Sequence, residues 1–361
     1  MRTFTCSCKN TLYFDNVVCI KCKHLVGWCP VCAAIQDVVP AGANTFSCTQ
    51  CKTLLIQCHN YAAHNVCNRF LAAPAAVAPG TPPAAAPVAP AEPLCSYCRF
   101  NKTIPDLSVA GNQMKWARIE AAKRRTLYQF DMLHLPYGDE QDGIQPPLAF
   151  EFKADIVPNG VYRDSGGGQK VFTGHANGTI TLNIQEADDV AREKLRVEMH
   201  EPQRSLLGHF RHELGHYVWE VAVKERREAD CIALFGDHNN PTYADALTTY
   251  YKNGPKPDWI TRYVSAYATM HPWEDFAETF AVYLDMTSAL HTAYHNGLIP
   301  TVDLRDLNAM VIAYQKLGIA LNEMNRANGL LDYLPEVIAP EVHRKLAFIH
   351  SLAKPAAAAV R

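Results

Sequence analysis

His212-Glu213-Leu214-Gly215-His216 is the stretch on which the reading of this 361-residue chain turns. Two histidines four residues apart lie on one face of a helix, as two ligands of a single metal must, and Glu213 stands beside them. Leu206, Leu207, Phe210, Leu214, Tyr217, Val218 and Val221 recur at helical spacing, so this helix has an apolar stripe to bury. Two imidazoles and one further ligand leave a zinc coordination position for water, whose proton Glu213 can accept as the water attacks a polarised carbonyl. The spacing points to a zinc-dependent hydrolase.

The third ligand sets the subclass. A metzincin would carry Gly at position 219 and His at position 222, where this chain has Trp219 and Ala222. The run from Ser265 to Phe280 instead supplies Glu274 and Glu278, one helical turn apart, so that one can ligate zinc and the other can orient a ligand histidine. Pro272 suits the first helical position, which also gives Glu274 a second reading as a helix cap, with Glu278 then the ligand. His271 can cap the same helix or face the cleft, and His209, one turn before His212, can support the site or simply pack.

The spacing E-x-x-A-E-x-F from Glu274 to Phe280 resembles the third-ligand helix of gluzincin-type peptidases. That resemblance implies Glu274 as the zinc ligand, Glu278 as its support, and Tyr267 as a hydroxyl that can donate to a developing oxyanion. In zincins an edge strand upstream of the metal helix pairs with an extended substrate, and Gly178 to Asn183 is either that strand or one more member of the sheet.

Cysteine divides the chain. Twelve of 13 cysteines lie between Cys6 and Cys98, and Cys231 stands alone. They group by fours as Cys6, Cys8, Cys19 and Cys22; Cys29, Cys32, Cys48 and Cys51; and Cys58, Cys67, Cys95 and Cys98, with His59 and His64 beside the third set. Paired knuckles of this kind make closed four-thiolate zinc sites, which are structural. Two or three structural zincs and one catalytic zinc are therefore expected. Cys231 reads as a buried thiol.

Charge narrows the partners. The chain carries 34 Lys+Arg against 36 Asp+Glu, a formal net charge of -2. Residues 1 to 100 are formally basic, but each four-thiolate zinc site carries about -2, which offsets that excess and argues against nucleic acid as the partner. A peptide or protein substrate fits better. No apolar run of signal-peptide or membrane-spanning length is present, so a cytoplasmic protein without membrane attachment is expected.

The expected organisation is a zinc-ribbon module over 1–100, with an Ala/Pro-rich excursion at 72–93, then a helical connector over 101–136. A zincin-like metallopeptidase domain follows over 137–335, and 336–361 holds a C-terminal helix and a disordered tail. Met114 to Leu133 reads as a helix with one charged side that includes Lys115, Arg118, Lys123, Arg124 and Arg125. Leu148 to Ile184 reads as strands, with a turn at Asn177-Gly178. Further helices are expected over 203–224, 242–252, 272–292, 303–325 and 340–353. The fold class is α+β, mostly helical with a small sheet, behind a cysteine-rich module.

Met1 to Phe4 with Cys6-x-Cys8, Asn101 to Leu107, Thr173 to Gly178, Leu206 to His216, Leu234 to Asp237 and Tyr267 to Glu278 together resemble the bacterial zinc-binding metallopeptidases that carry an N-terminal zinc ribbon. The similarity runs from Met1 to about Leu290, and the Ala/Pro tract departs from it. It implies a zincin-like peptidase domain and no particular substrate. The rival readings are a zincin without turnover that serves as an interaction module, and nucleic-acid binding through the ribbons.

Overall fold

In a computed structural model of the chain, which describes residues 1–74, 92–155, 171–198, 205–332, 334 and 337–354, each of the first four cysteine pairs sits on a tight turn. The residue after the second cysteine of each pair is left-handed, with φ of 69° at Lys9, 63° at Lys23, 46° at Ala33 and 61° at Lys52. Such backbone costs a non-glycine residue roughly 1–2 kcal/mol. Here it closes the turn so that both thiols of a pair face one point, and the amides of Lys9, Lys23 and Lys52 bond back to the carbonyls of Cys6, Cys19 and Cys48. Most of the Ala/Pro tract, residues 75–91, and the tail from 355 lie outside the described residues.

The chain forms two compact units, Arg2–Ala121 and the part from Ala122 on, and the division falls inside helix α2 (Asn112–Leu133). In the first unit β1 (Phe4–Thr5) pairs with β2 (Thr11–Leu12). Next comes an antiparallel sheet of β3 (Leu25–Cys29), β4 (Ala34–Gly42), β5 (Thr45–Cys48), β6 (Leu54–Gln57) and β7 (Phe70–Ala72), in sequence order. The unit also holds the short helix α1 (His59–Ala62) and, outside this sheet, strand β8 (Asn101–Thr103). Its core is small and aromatic: Phe4, Phe14, Trp28, Tyr61 and Phe70 are buried. The Arg69 guanidinium lies 4.8 Å from the Trp28 ring and 3.8 Å from that of Tyr97.

The second unit holds β9 (Ala149–Lys153), β10 (Gly174–Ala176) and β11 (Thr179–Asn183). β10 and β11 form the hairpin expected at Asn177-Gly178, whose φ values of 46° and 79° suit a two-residue turn. β11 then pairs in parallel with β9, so it is an internal strand. Of the two readings of Gly178 to Asn183, it is one more member of the sheet and not a substrate-pairing edge, because β10 occupies that side.

Helices build the rest: α3 (Asp189–Glu198), α4 (Leu206–Val218), α5 (Glu228–Phe235), α6 (Tyr243–Asn253), α7 (Trp259–Arg262), α8 (Pro272–His295), α9 (Leu307–Ala327) and α10 (Pro340–His350). No helix among the described residues is long and apolar enough to cross a membrane. The α+β class expected from the sequence is what the chain adopts. α2 is less one-sided than expected, since Glu120, Lys123 and Arg124 are all buried. The ammonium of Lys123 lies 5.3 Å and 5.6 Å from the rings of Phe150 and Phe152.

Candidate metal centres and active site

α4 and α8 cross at Gly215. A Cβ there would stand 3.0 Å from Ala277 Cα and 3.2 Å from its carbonyl oxygen, so glycine lets the two helix backbones touch. That closeness brings His212 and His216 on α4 opposite Glu274 on α8. Each helix begins where its sequence says it should. Ser205 caps α4 through the Gly208 amide, and His271 caps α8 by accepting from Trp273 N, ahead of Pro272. Because His271 is the cap, Glu274 is free to turn inward, and it is 2% exposed. α4 does not run on to 224 as a regular helix, because its last turn widens to a π-helix over Trp219–Val223.

Ligand atoms of His212, His216 and Glu274 all lie within 4.8 Å of one another. Nε2 of His212 is 3.0 Å from Glu274 Oε2 and 3.1 Å from Nε2 of His216. The other ring nitrogen of His212, Nδ1, is 2.6 Å from Glu278 Oε1, and Ser265 Oγ donates to Glu278 Oε2 at 2.7 Å. A proton on Nδ1 leaves the Nε2 lone pair aimed at Glu274 and His216. Glu274 Oε2 is buried and makes no hydrogen bond. Lone pairs pointed at one another in a buried place repel unless a cation sits among them, and two imidazoles with one carboxylate are a zinc donor set with a position left open. The residues fit the metal that the sequence implies.

The same groups compete for protons. Burial works against protonating His212, but the carboxylates of Glu274 and Glu278 override it and hold its pKa well above the usual histidine value, so a metal ion bound here takes the place of a proton on Nε2. Burial also works against ionising Glu274, yet His216 and His212 hold its carboxyl well below the usual range. Glu213, on the same helix, is 8% exposed. The Tyr267 ring is 6.3 Å from that of His212 and 5.8 Å from Tyr250.

Several neighbours of the site carry no signal in the sequence pattern. Tyr243, the first residue of α6, donates to Glu274 Oε1 at 2.9 Å. The Trp273 ring lies 3.7 Å from that of His216, tilted by 32°. His175 on β10 faces His216 at 6.3 Å, with its Nε2 3.5 Å from Glu220 Oε2. Burial, then His216, pushes the His175 pKa down to about 3, so it is a neutral imidazole. His209 Nδ1 stands 3.5 Å from Glu186 Oε2.

The cysteines gather as the sequence groups them. Cys6, Cys8, Cys19 and Cys22 form one cluster, Cys29, Cys32, Cys48 and Cys51 a second, and Cys58, Cys67, Cys95 and Cys98 a third, fully buried one. All are free thiols. Facing Sγ atoms are 3.6 Å apart for Cys6 and Cys22, 3.7 Å for Cys29 and Cys51, and 3.9 Å for Cys67 and Cys95. A tetrahedron with Zn–S bonds of about 2.3 Å has edges of about 3.8 Å. His59 and His64 pack on each other at 5.5 Å and stand outside the third cluster.

Comparison with known proteins agrees with both halves. A zinc-ribbon domain family matches residues 3–109, and the family described as "Putative zinc-binding metallo-peptidase" matches residues 112–352. An uncharacterized protein of Mycobacterium bovis is 38% identical over 271 residues, covering 72% of this chain and 75% of its own length. Uncharacterized proteins from two strains of Mycobacterium tuberculosis match to the same extent. No solved structure matches the chain significantly. With its metal-ligand helices inside the longer match and its thiolate clusters inside the shorter, the chain belongs to this zinc-binding metallo-peptidase family and carries an N-terminal zinc ribbon.

Proposed function

We propose that the second unit hydrolyses peptide or isopeptide bonds at a single zinc held by His212, His216 and Glu274. The observation that carries this reading is the meeting of two imidazole Nε2 atoms, on the helix that also bears Glu213, with the buried Glu274 carboxylate, 3.0 Å from His212 to Oε2 and 3.5 Å from His216 to Oε1. Zinc at these ligands would polarise the scissile carbonyl and make a water acidic enough to lose a proton near neutral pH. Glu213 takes that proton as the water oxygen bonds to the carbonyl carbon, then returns it to the nitrogen as the C–N bond breaks. Tyr267 donates its hydroxyl hydrogen to the carbonyl oxygen as negative charge gathers there. Glu278 holds His212 in the tautomer that ligation requires.

The three thiolate clusters are closed sites with four sulfur ligands each, so their role is to fold the ribbon module. We assign that module to recognising or delivering a protein substrate. The chemistry is tested with Glu213→Gln in a zinc-loaded protein assayed on a mixed peptide library. Hydrolysis should fall by about 10²–10⁴ with zinc content unchanged. Full activity in that variant would end the mechanism.

A further inference from the structure

We propose that Tyr243 is a positioning residue of the metal centre, its hydroxyl holding Oε1 of Glu274 and so fixing the plane of the carboxylate that faces the two histidines. The inference rests on the zinc reading of the site given above. The two oxygens of Glu274 are not equivalent. Oε1 accepts from Tyr243 at 2.9 Å and lies 3.5 Å from His216 Nε2, whereas Oε2, 3.0 Å from His212 Nε2, is buried without a hydrogen bond. A neutral hydroxyl on one oxygen fixes the plane of the carboxylate, and with it the place of the other oxygen.

A phenol has one hydrogen to give, and that of Tyr243 goes to Glu274, so this tyrosine is committed to the ligand. Tyr267, whose ring lies 6.3 Å from that of His212, is the tyrosine left to donate in the reaction.

Tyr243 reaches the site from an unexpected direction. Ala246 is the only buried residue of α6, so this helix has little core contact of its own. The Tyr243 ring is seated against His271 at 5.3 Å and Trp273 at 5.8 Å, at the start of α8, and this places its hydroxyl over Glu274. Tyr243→Phe keeps those ring contacts and removes only the hydroxyl.

The test is the zinc affinity of the histidine site in the full chain, measured by chelator competition, with His212→Ala defining the zinc held by the thiolate clusters alone. Tyr243→Phe should bind that zinc 10–100-fold more weakly, as loss of a ligand's supporting hydrogen bond typically does, while Tyr267→Phe should stay within about twofold of wild type. A purely packing role for Tyr243 would be spared by Phe. Wild-type affinity in Tyr243→Phe, or an equal loss in Tyr267→Phe, would overturn the assignment of Tyr243 while leaving the zinc site standing. A wild type that holds no more zinc than His212→Ala would overturn the site itself, and this inference with it.

Discussion

Nδ1 of His212 and Oε1 of Glu278 stand 2.6 Å apart, and the second Glu278 oxygen is held by Ser265. The pair spans 66 residues, yet it determines which nitrogen of His212 faces Glu274. Glu278→Ala should lower both zinc affinity at the histidine site and hydrolysis by about 10–100-fold. Glu278→Gln, which still offers an oxygen to Nδ1–H, should lose less. Isothermal titration with zinc distinguishes these outcomes, and an Ala variant that binds as wild type does would show that Glu278 is only a surface partner.

Gly215 makes the crossing of α4 and α8 possible. Replacing glycine by alanine inside a helix normally stabilises it by roughly 0.5–1 kcal/mol. Here the new methyl would meet Ala277 backbone at 3.0 Å and Phe280 Cβ at 3.3 Å, and two helix backbones have little freedom to part. Gly215→Ala should instead cost about 1–3 kcal/mol and weaken zinc binding, because the ligands sit on the two helices being pushed apart. Calorimetry of the variant checks the sign. A higher melting temperature would contradict the close approach.

Asp37 joins the first two thiolate clusters. Fully buried, it accepts from the amide and hydroxyl of Ser7, at 2.9 and 2.6 Å, and from Thr49 Oγ1 at 3.0 Å, and it pairs with His24 at 3.2 Å. Burial opposes its charge, but these bonds win and hold its pKa at about 2. A depressed carboxyl contributes stability that is present above its unfolded pKa and lost as pH falls through the folded one. Between about pH 6 and about pH 8 that contribution should therefore be constant. Asp37→Asn should cost about 2–4 kcal/mol over that whole range. A penalty that changes steeply between those pH values in thermal unfolding would contradict this account of Asp37.

Cys231 should be chemically silent. It is 4% exposed, and burial is the main cause that pushes its thiol up to about 12. At about pH 8 only about one molecule in 10⁴ would carry the thiolate. Titration with a thiol reagent should find no reactive cysteine in the zinc-loaded protein and twelve after chelation. The thirteenth should appear only on unfolding. Rapid labelling of Cys231 in the native protein would contradict its burial.

What could be read directly is what depends on residues close in sequence. Histidines four apart on α4, an apolar stripe at 3.6-residue spacing, cysteine knuckles, and Pro272 at a helix start are all local patterns. The grouping of the twelve cysteines into fours was legible for the same reason, since a knuckle presents two thiols together. Other features depend on chain segments meeting in space. Tyr243 bonds Glu274 across 31 residues from a helix that looks like solvent-exposed surface, and nothing in its neighbours marks it. His175 and Glu220 meet only because the β10–β11 hairpin lies beside the widened turn after Val218. That π-turn was hidden because Val221 continues the apolar pattern of α4. Lys123 reads as part of a charged outer face, because nothing near it in the chain shows that Phe150 and Phe152 cover it. The choice between edge and internal strand for β11 stays open in the sequence, since strand order is decided by pairing with β9.

The central claim is that His212, His216 and Glu274 hold a zinc distinct from those of the three thiolate clusters. Metal analysis of purified wild type and His212→Ala, side by side, tests it most directly. Four zincs per chain are expected in the wild type and three in the variant, with the thiolate clusters unaffected. Equal zinc content in the two proteins would mean that the His212 helix holds no metal, and the hydrolase reading would fall with it.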